Sequence, residues 1–98
     1  MKAATDELSL ELRAVGDPAR REILKMLNEN KQRLLRKPAE LCAGDIEQRL
    51  GLAQPTISHH MRVLRHAGLV DARKVGTFMW YRRNEAALRK MRRELAAV

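Results

Sequence analysis

The stretch Gln54-Pro-Thr-Ile-Ser-His-His-Met-Arg-Val-Leu-Arg-His-Ala-Gly-Leu-Val70 decides the fold. Ile57, Met61 and Leu64 stand at i, i+4 and i+7, the spacing of one helix face, and Gly68 sits where a helix closes. Pro55 suits the first turn, where no intrahelical amide bond is lost. Rotation by about 100° per residue puts Pro55, His59, Arg62 and His66 on the opposite side, with Ser58 flanking them and Gln54 and Thr56 at the N-terminal tip. Immediately upstream, Leu41, Ile46 and Leu50 mark a shorter helix that Gly51 would end in the left-handed conformation. Two short helices joined by a tight turn are therefore expected over about 40–67.

Working outward, the pattern changes at Leu69 to a strand-like run through Lys74, a turn at Val75-Gly76-Thr77 and a second run from Phe78 to Arg83. This predicts a hairpin over about 69–83. Asn84 then caps a last helix, about 84–96, with Leu88, Met91 and Leu95 along one side. Toward the N-terminus, Leu8, Leu12 and Val15 form one stripe on a first helix of about 5–15. Gly16-Asp17-Pro18 resets the chain, Asp17 as a cap and Pro18 as first helical residue. The second helix turns Ala19, Ile23, Met26 and Leu27 inward and fades near 28–30. Residues 31–38 fit a helical extension, a separate turn or an ordered loop. The fold class is mainly α with a small β-hairpin: a winged helix-turn-helix, with residues 1–98 as a single domain.

Charge narrows the partner. Of 98 residues, 20 are Lys or Arg and 12 are Asp or Glu, for a net +8. Residues 1–61 carry ten basic and nine acidic side chains, and residues 62–98 carry ten and three, so the excess begins inside the recognition helix and favours a polyanion there. A solvated surface on a highly charged protein is the bland alternative. No run approaches the ~20 apolar residues of a membrane span, and the opening residues turn acidic where an export signal would turn apolar, so a cytoplasmic protein is expected.

The second helix of such a pair meets base edges in the major groove through its N-terminal residues. The DNA-binding candidates on it are Gln54, Thr56, Ser58, His59 and Arg62: Gln suits adenine, Ser and Thr are permissive, and His and Arg serve guanine or phosphate. In the hairpin, Lys74 and Thr77 are assigned to phosphates and Gly76 supplies the freedom the tip needs. Phe78, Trp80 and Tyr81 fall together and would suit stacking on single strands, but a small sheet needs bulky residues against its helices, and core packing is the expectation. His59 and His60 diverge by about 100° around the helix, and His59 and His66 lie about 10 Å apart along it, so neither pair shares a metal. His60 is expected on the buried side. The lone Cys42 is a candidate redox thiol, against which stands its reading as a small half-buried hydrophobe. No carboxylate pair, nucleophile with its base or phosphate loop appears, and an enzyme is not expected.

Two runs carry a family resemblance. Leu12-Arg-Ala-Val-Gly-Asp-Pro-Ala-Arg-Arg-Glu-Ile-Leu-Lys-Met-Leu27 resembles the opening of ArsR/SmtB-type bacterial repressors, and Gln54 to Val70 resembles their recognition helix. The match continues through Gly76 and Tyr81-Arg82. It implies a homodimer, joined by the first and last helices, that binds an inverted-repeat operator on double-stranded DNA and represses until an inducer releases it. Leu8, Leu12, Leu88, Met91 and Leu95 fit that dimer interface; the alternative is that they complete the monomer core. Three departures concern the sensor and the cap. Gly44 replaces the second of two cysteines that metal-responsive members carry beside Cys42, so one thiol remains where soft metals need two or three. Residues 85–98 offer Glu85 and Glu94 but no His for the other familiar site. Ala53 stands where a capping Ser is frequent. The expectation is a sequence-specific regulator, a repressor lacking both metal sites and without cofactor; the alternative is a winged-helix module for protein or RNA without operator specificity.

Overall fold

The structure, a computed structural model, describes residues 6–36 and 39–98. Asp6 opens α1 (Glu7–Val15) by accepting from the Ser9 amide at 2.7 Å. Asp17 opens α2 (Pro18–Met26) by accepting from the amides of Ala19 and Arg20. After α3 (Glu29–Leu34) come β1 (Leu41–Cys42), α4 (Ala43–Leu50), α5 (Gln54–His66), the hairpin strands β2 (Val70–Val75) and β3 (Phe78–Arg83), and α6 (Glu85–Ala96). The sheet is antiparallel in the order β1-β3-β2. Tyr81 faces Leu41 on one side and Ala72 on the other, and Val75 pairs with Phe78 across the tip. Among the described residues no helix is long and apolar enough to cross a membrane.

Local chemistry explains the boundaries. Gly51 closes α4 at φ 65°. At the end of α5 the Gly68 amide donates to the Arg65 carbonyl at 2.9 Å and the Leu69 amide to the Leu64 carbonyl at 3.0 Å. With Gly68 at φ 77° this is a Schellman closure, and Leu64 and Leu69, both fully buried, supply its hydrophobic contact. Asn84 caps α6 by accepting from the Ala87 amide at 3.0 Å. The core joins Ile23, Leu24 and Leu27 of the α2 region, Ile46 of α4, Ile57, Met61 and Leu64 of α5, Leu69 and Val70 at the hairpin base, Tyr81 and, from α6, Leu88 and Met91.

Three expectations change, and the stretch that fits several forms adopts one of them. The helix expected from Leu41 begins at Ala43, because Leu41 and Cys42 pair with Tyr81 and Trp80 as a third strand. The open stretch after Asn28 contains a helix of its own, whose buried Gln32 donates through Nε2 to the Met26 carbonyl. Residues 37–38 of that stretch, and position 5 where the first helix was expected to start, lie outside the described residues. The buried residues of α1 are Glu11 and Ala14, while Leu12, placed on the apolar stripe, is 41% exposed. Of the three aromatics assigned to the core, Tyr81 is buried, Trp80 half-buried and Phe78 62% exposed, because Phe78 stands at the wing tip opposite Val75, itself 47% exposed.

Candidate nucleic-acid interface

α5 is amphipathic in the sense the sequence indicates. Ile57, His60, Met61 and Leu64 are buried, and Gln54, Pro55, Thr56, Ser58, His59, Arg62 and His66 are exposed. The five candidate base-reading residues thus share one solvent-facing surface over the first turns of the helix. Arg65, exposed three residues beyond Arg62, widens the basic strip; that i, i+3 relation was the available signal.

The helix is held from behind by a contact between distant residues. Arg20, in the first turn of α2, donates from Nε to the Ala14 carbonyl at 2.7 Å and from Nη2 to the Arg13 carbonyl at 3.2 Å, satisfying carbonyls at the C-terminus of α1. Its Nη1 lies 3.1 Å from Nδ1 of His60. Arginine has only donors, so Nδ1 accepts and the ring proton resides on Nε2. Burial lowers the His60 pKa below its ordinary value, and Arg20 and His59 push the same way against Asp17. Arg20 therefore joins α2 to α1 and, through a neutral His60, to α5. The His59 ring, 5.9 Å from that of His60, points instead to solvent.

In the wing, Gly76 at φ 60° and exposed Thr77 form the two-residue turn between β2 and β3. The basic residues there divide in role. Arg73 grips Glu40 with Nε at 2.8 Å and Nη2 at 3.2 Å, and this pairing lowers the Glu40 pKa. Arg83 is buried, donates to the Leu24 carbonyl at 3.0 Å and pairs with Glu85 at 2.8 Å, fixing the base of β3 to α2 and α6. Lys74, assigned to phosphate on the sequence, is exposed and enters no ion pair among the described residues.

The segment matching the cysteine-pair region is built differently from a thiolate metal site. Cys42 is half-buried at the N-terminus of α4; its amide donates to Asp45 Oδ2 at 3.2 Å and its thiol to the same oxygen at 3.1 Å, while exposed Gly44 brings no donor. Among the described residues no cluster of three or more His, Cys, Asp or Glu side chains could hold a metal ion.

Of the five residues assigned to the dimer interface, Leu88 and Met91 are buried in the chain's own core, Leu8 is half-buried, and Leu12 and Leu95 are exposed at 41% and 39%.

The family model described as bacterial regulatory protein, arsR family, matches residues 17–72. An uncharacterised helix-turn-helix transcriptional regulator of Methanocaldococcus jannaschii is 45% identical over 69 residues, covering 70% of this chain and 68% of the relative. The arsenical resistance operon repressor of Staphylococcus aureus is 40% identical over 82 residues, 84% of this chain and 70% of the relative. Among solved structures, an ArsR-like transcriptional regulator from Rhodococcus sp. superposes with a TM-score of 0.74 at 32% identity, over 93% of this chain and 77% of that one.

Proposed function

Because this chain belongs to the arsR family of bacterial regulatory proteins, we propose that it is a DNA-binding transcriptional repressor whose α5 reads a duplex operator while the wing holds adjacent backbone. The family is one of regulators, not enzymes. One observation carries the reading of the site: a polar and basic face, from Gln54 to Arg62, is exposed along a helix whose other face is locked into the core. Gln54, Thr56, Ser58, His59 and Arg62 are the base and phosphate contacts of that face. Lys74 and Thr77, set around Gly76, contact phosphates.

The repressor acts in the cytoplasm as a homodimer on an inverted repeat. Leu12 of α1 and Leu95 of α6 remain exposed on helices that touch each other, and a second copy covers them together with Leu8; Leu88 and Met91 support α6 from beneath. Two chains bring +16 to the complex, so discrimination between sequences, measured at near-physiological salt, is the meaningful quantity.

The test is the affinity for a duplex from upstream of the protein's own gene against a scrambled duplex. A ratio of about 10³ or more is expected, with Gln54→Ala and His59→Ala eroding it and Lys74→Ala lowering both affinities alike. A ratio near one across the flanking genome, with single-stranded RNA bound equally well, would withdraw operator recognition.

A further inference from the structure

Between α1 and α5 lies a groove of about 300 Å³. Its floor is apolar: Leu10 from α1, Val63 and Ala67 from α5 and its cap. Its rim is nitrogen only: Arg13 from α1, and His59, Arg62 and His66 from α5. No carboxylate lines it, and neither Arg13 nor Arg62 enters an ion pair among the described residues. An acceptor-only anion is the chemical complement of such a rim, since guanidinium groups bind carboxylates through paired, charge-assisted hydrogen bonds. A flat hydrocarbon body is the complement of the floor, and the volume sits at the small end of ligand sites, about 300–1,000 Å³.

We propose that this groove binds a small organic monoanion, a carboxylate on an aromatic or short aliphatic body, and that the bound anion opposes DNA binding. The second part rests on the operator reading above. His59 and Arg62 belong both to the groove and to the face assigned to DNA, so a carboxylate paired with them removes donors from bases and phosphates and adds negative charge where the DNA backbone approaches. Linkage then requires that DNA weaken the anion's affinity by the same factor. The anion needs no metal ligand and no second thiol.

The experiment titrates 2-naphthoate into the full chain by calorimetry, without DNA, beside the uncharged 2-naphthamide. Saturable binding with a Kd of about 1 mM or tighter is expected for a ligand of this size, and the amide should bind at least about tenfold more weakly because the charge-assisted pairs are lost. Leu10→Trp fills the groove from α1, a helix that carries no residue assigned to DNA, and Val63→Phe fills it from α5. Each should abolish naphthoate binding while circular dichroism shows an intact fold. Naphthoate should also release the unaltered protein, but not Leu10→Trp, from the upstream duplex, with acetate at equal ionic strength as control. No saturable heat, equal affinity for the amide, or full binding by both filled variants would overturn the proposal. So would a change of oligomeric state in Leu10→Trp together with no naphthoate binding by the unaltered protein, since the groove would then be a subunit contact. Because the calorimetry contains no DNA, naphthoate binding with no duplex discrimination refutes the operator reading alone, and the converse refutes the groove alone.

Discussion

Replacing Ala53 by serine should make the protein more stable, and the size of the gain follows from how α5 begins. Ala53 already has the extended backbone of an N-cap residue, φ −66° and ψ 151°, but its methyl group accepts no hydrogen bond. Ile57 donates to the Ala53 carbonyl at 3.1 Å and Pro55 has no amide, so the Thr56 amide is the donor that a capping side chain would take up. A serine hydroxyl in this geometry is worth about 1 kcal/mol relative to alanine, and the lower part of the 0.5–2 kcal/mol range applies because position 53 is exposed and water already serves the amide. For a domain of this size that corresponds to a rise in Tm of roughly 4 °C. Thermal unfolding of the two proteins is compared at one concentration, because self-association shifts apparent stability. Ala53→Val, which brings bulk but no acceptor, is the control and should show no gain. A serine variant that melts with the unaltered protein, or a valine variant that matches the serine, would refute the assignment of Thr56 as an uncapped donor.

Arg20→Ala removes the donor from the part-buried Ala14 carbonyl and from Nδ1 of His60, while the exposed Arg13 carbonyl keeps the Gly16 amide, and should cost about 1–3 kcal/mol in denaturant unfolding; Arg20→Lys should rescue little, since one ammonium cannot span acceptors placed for a planar guanidinium. Neutral His60 contributes stability that is complete above its unfolded pKa near 6.5 and is lost as pH falls through its lowered folded value. His60→Asn should therefore flatten the stability profile in that window, and an unchanged slope between pH 7.5 and 5.5 would exclude His60 as its source. Glu11 is 2% exposed, its Oε2 meets no donor, and burial with Glu7 and Glu94 nearby raises its pKa. Its contribution is full below the unfolded value of 4.5 and disappears as pH rises through the folded one, so Glu11→Gln should be the more stable protein at pH 7 and lose that advantage toward pH 4; parallel pH profiles would contradict this. Leu12→Glu combined with Leu95→Glu should move the protein from the proposed dimer to monomer in sedimentation, with the circular dichroism spectrum retained.

The parts of the fold legible in the sequence are those written in local chemistry. Asp17-Pro18, Asn84, Gly51 and Gly68 each state a helix end within a few residues, and the structure places caps or left-handed turns at all four. The period of Ile57, Met61 and Leu64 also fixed, by angle alone, which residues of α5 face water and that His60 does not. What escaped depends on distant partners. Leu41-Cys42 is too short for any period and is a strand only because Tyr81 and Trp80 lie beside it. α3 gives no apolar stripe because the residue it buries is Gln32. Phe78 satisfies strand alternation as well as Tyr81 does, and its exposure goes with its place at the wing tip, where its partner Val75 is exposed too. On the candidate site, the outward face was readable, but the Arg20 contact spans forty residues and the groove exists only through the packing of α1 on α5.

Those two unreadable features bear on the readable one. A recognition helix distinguishes operators only if its side chains arrive at bases in a fixed orientation, because base-specific hydrogen bonds are short and directional. In this protein α5 touches α1, α2, α4 and β2, so its orientation is set by packing on several sides. The Arg20–His60 contact fixes its buried face toward the ends of α1 and α2, and the closure at Gly68 and Leu69 fixes its C-terminus to the hairpin. The groove opens on the side where α5 meets α1, beside exposed His59 and Arg62. A ligand wedged there does not need to unfold or displace the helix to alter recognition. Withdrawing two donors from the reading face is sufficient, since each well-formed side-chain contact to a base supplies about 1–3 kcal/mol of discrimination. On the proposed dimer, losing two such contacts in each of two half-sites would lower operator affinity by several powers of ten, whereas the phosphate contacts proposed for Lys74 and Thr77 would persist. Release by such a ligand should accordingly be much steeper for the operator than for a scrambled duplex. Equal loss from both would place the ligand's effect on general charge instead of the reading face.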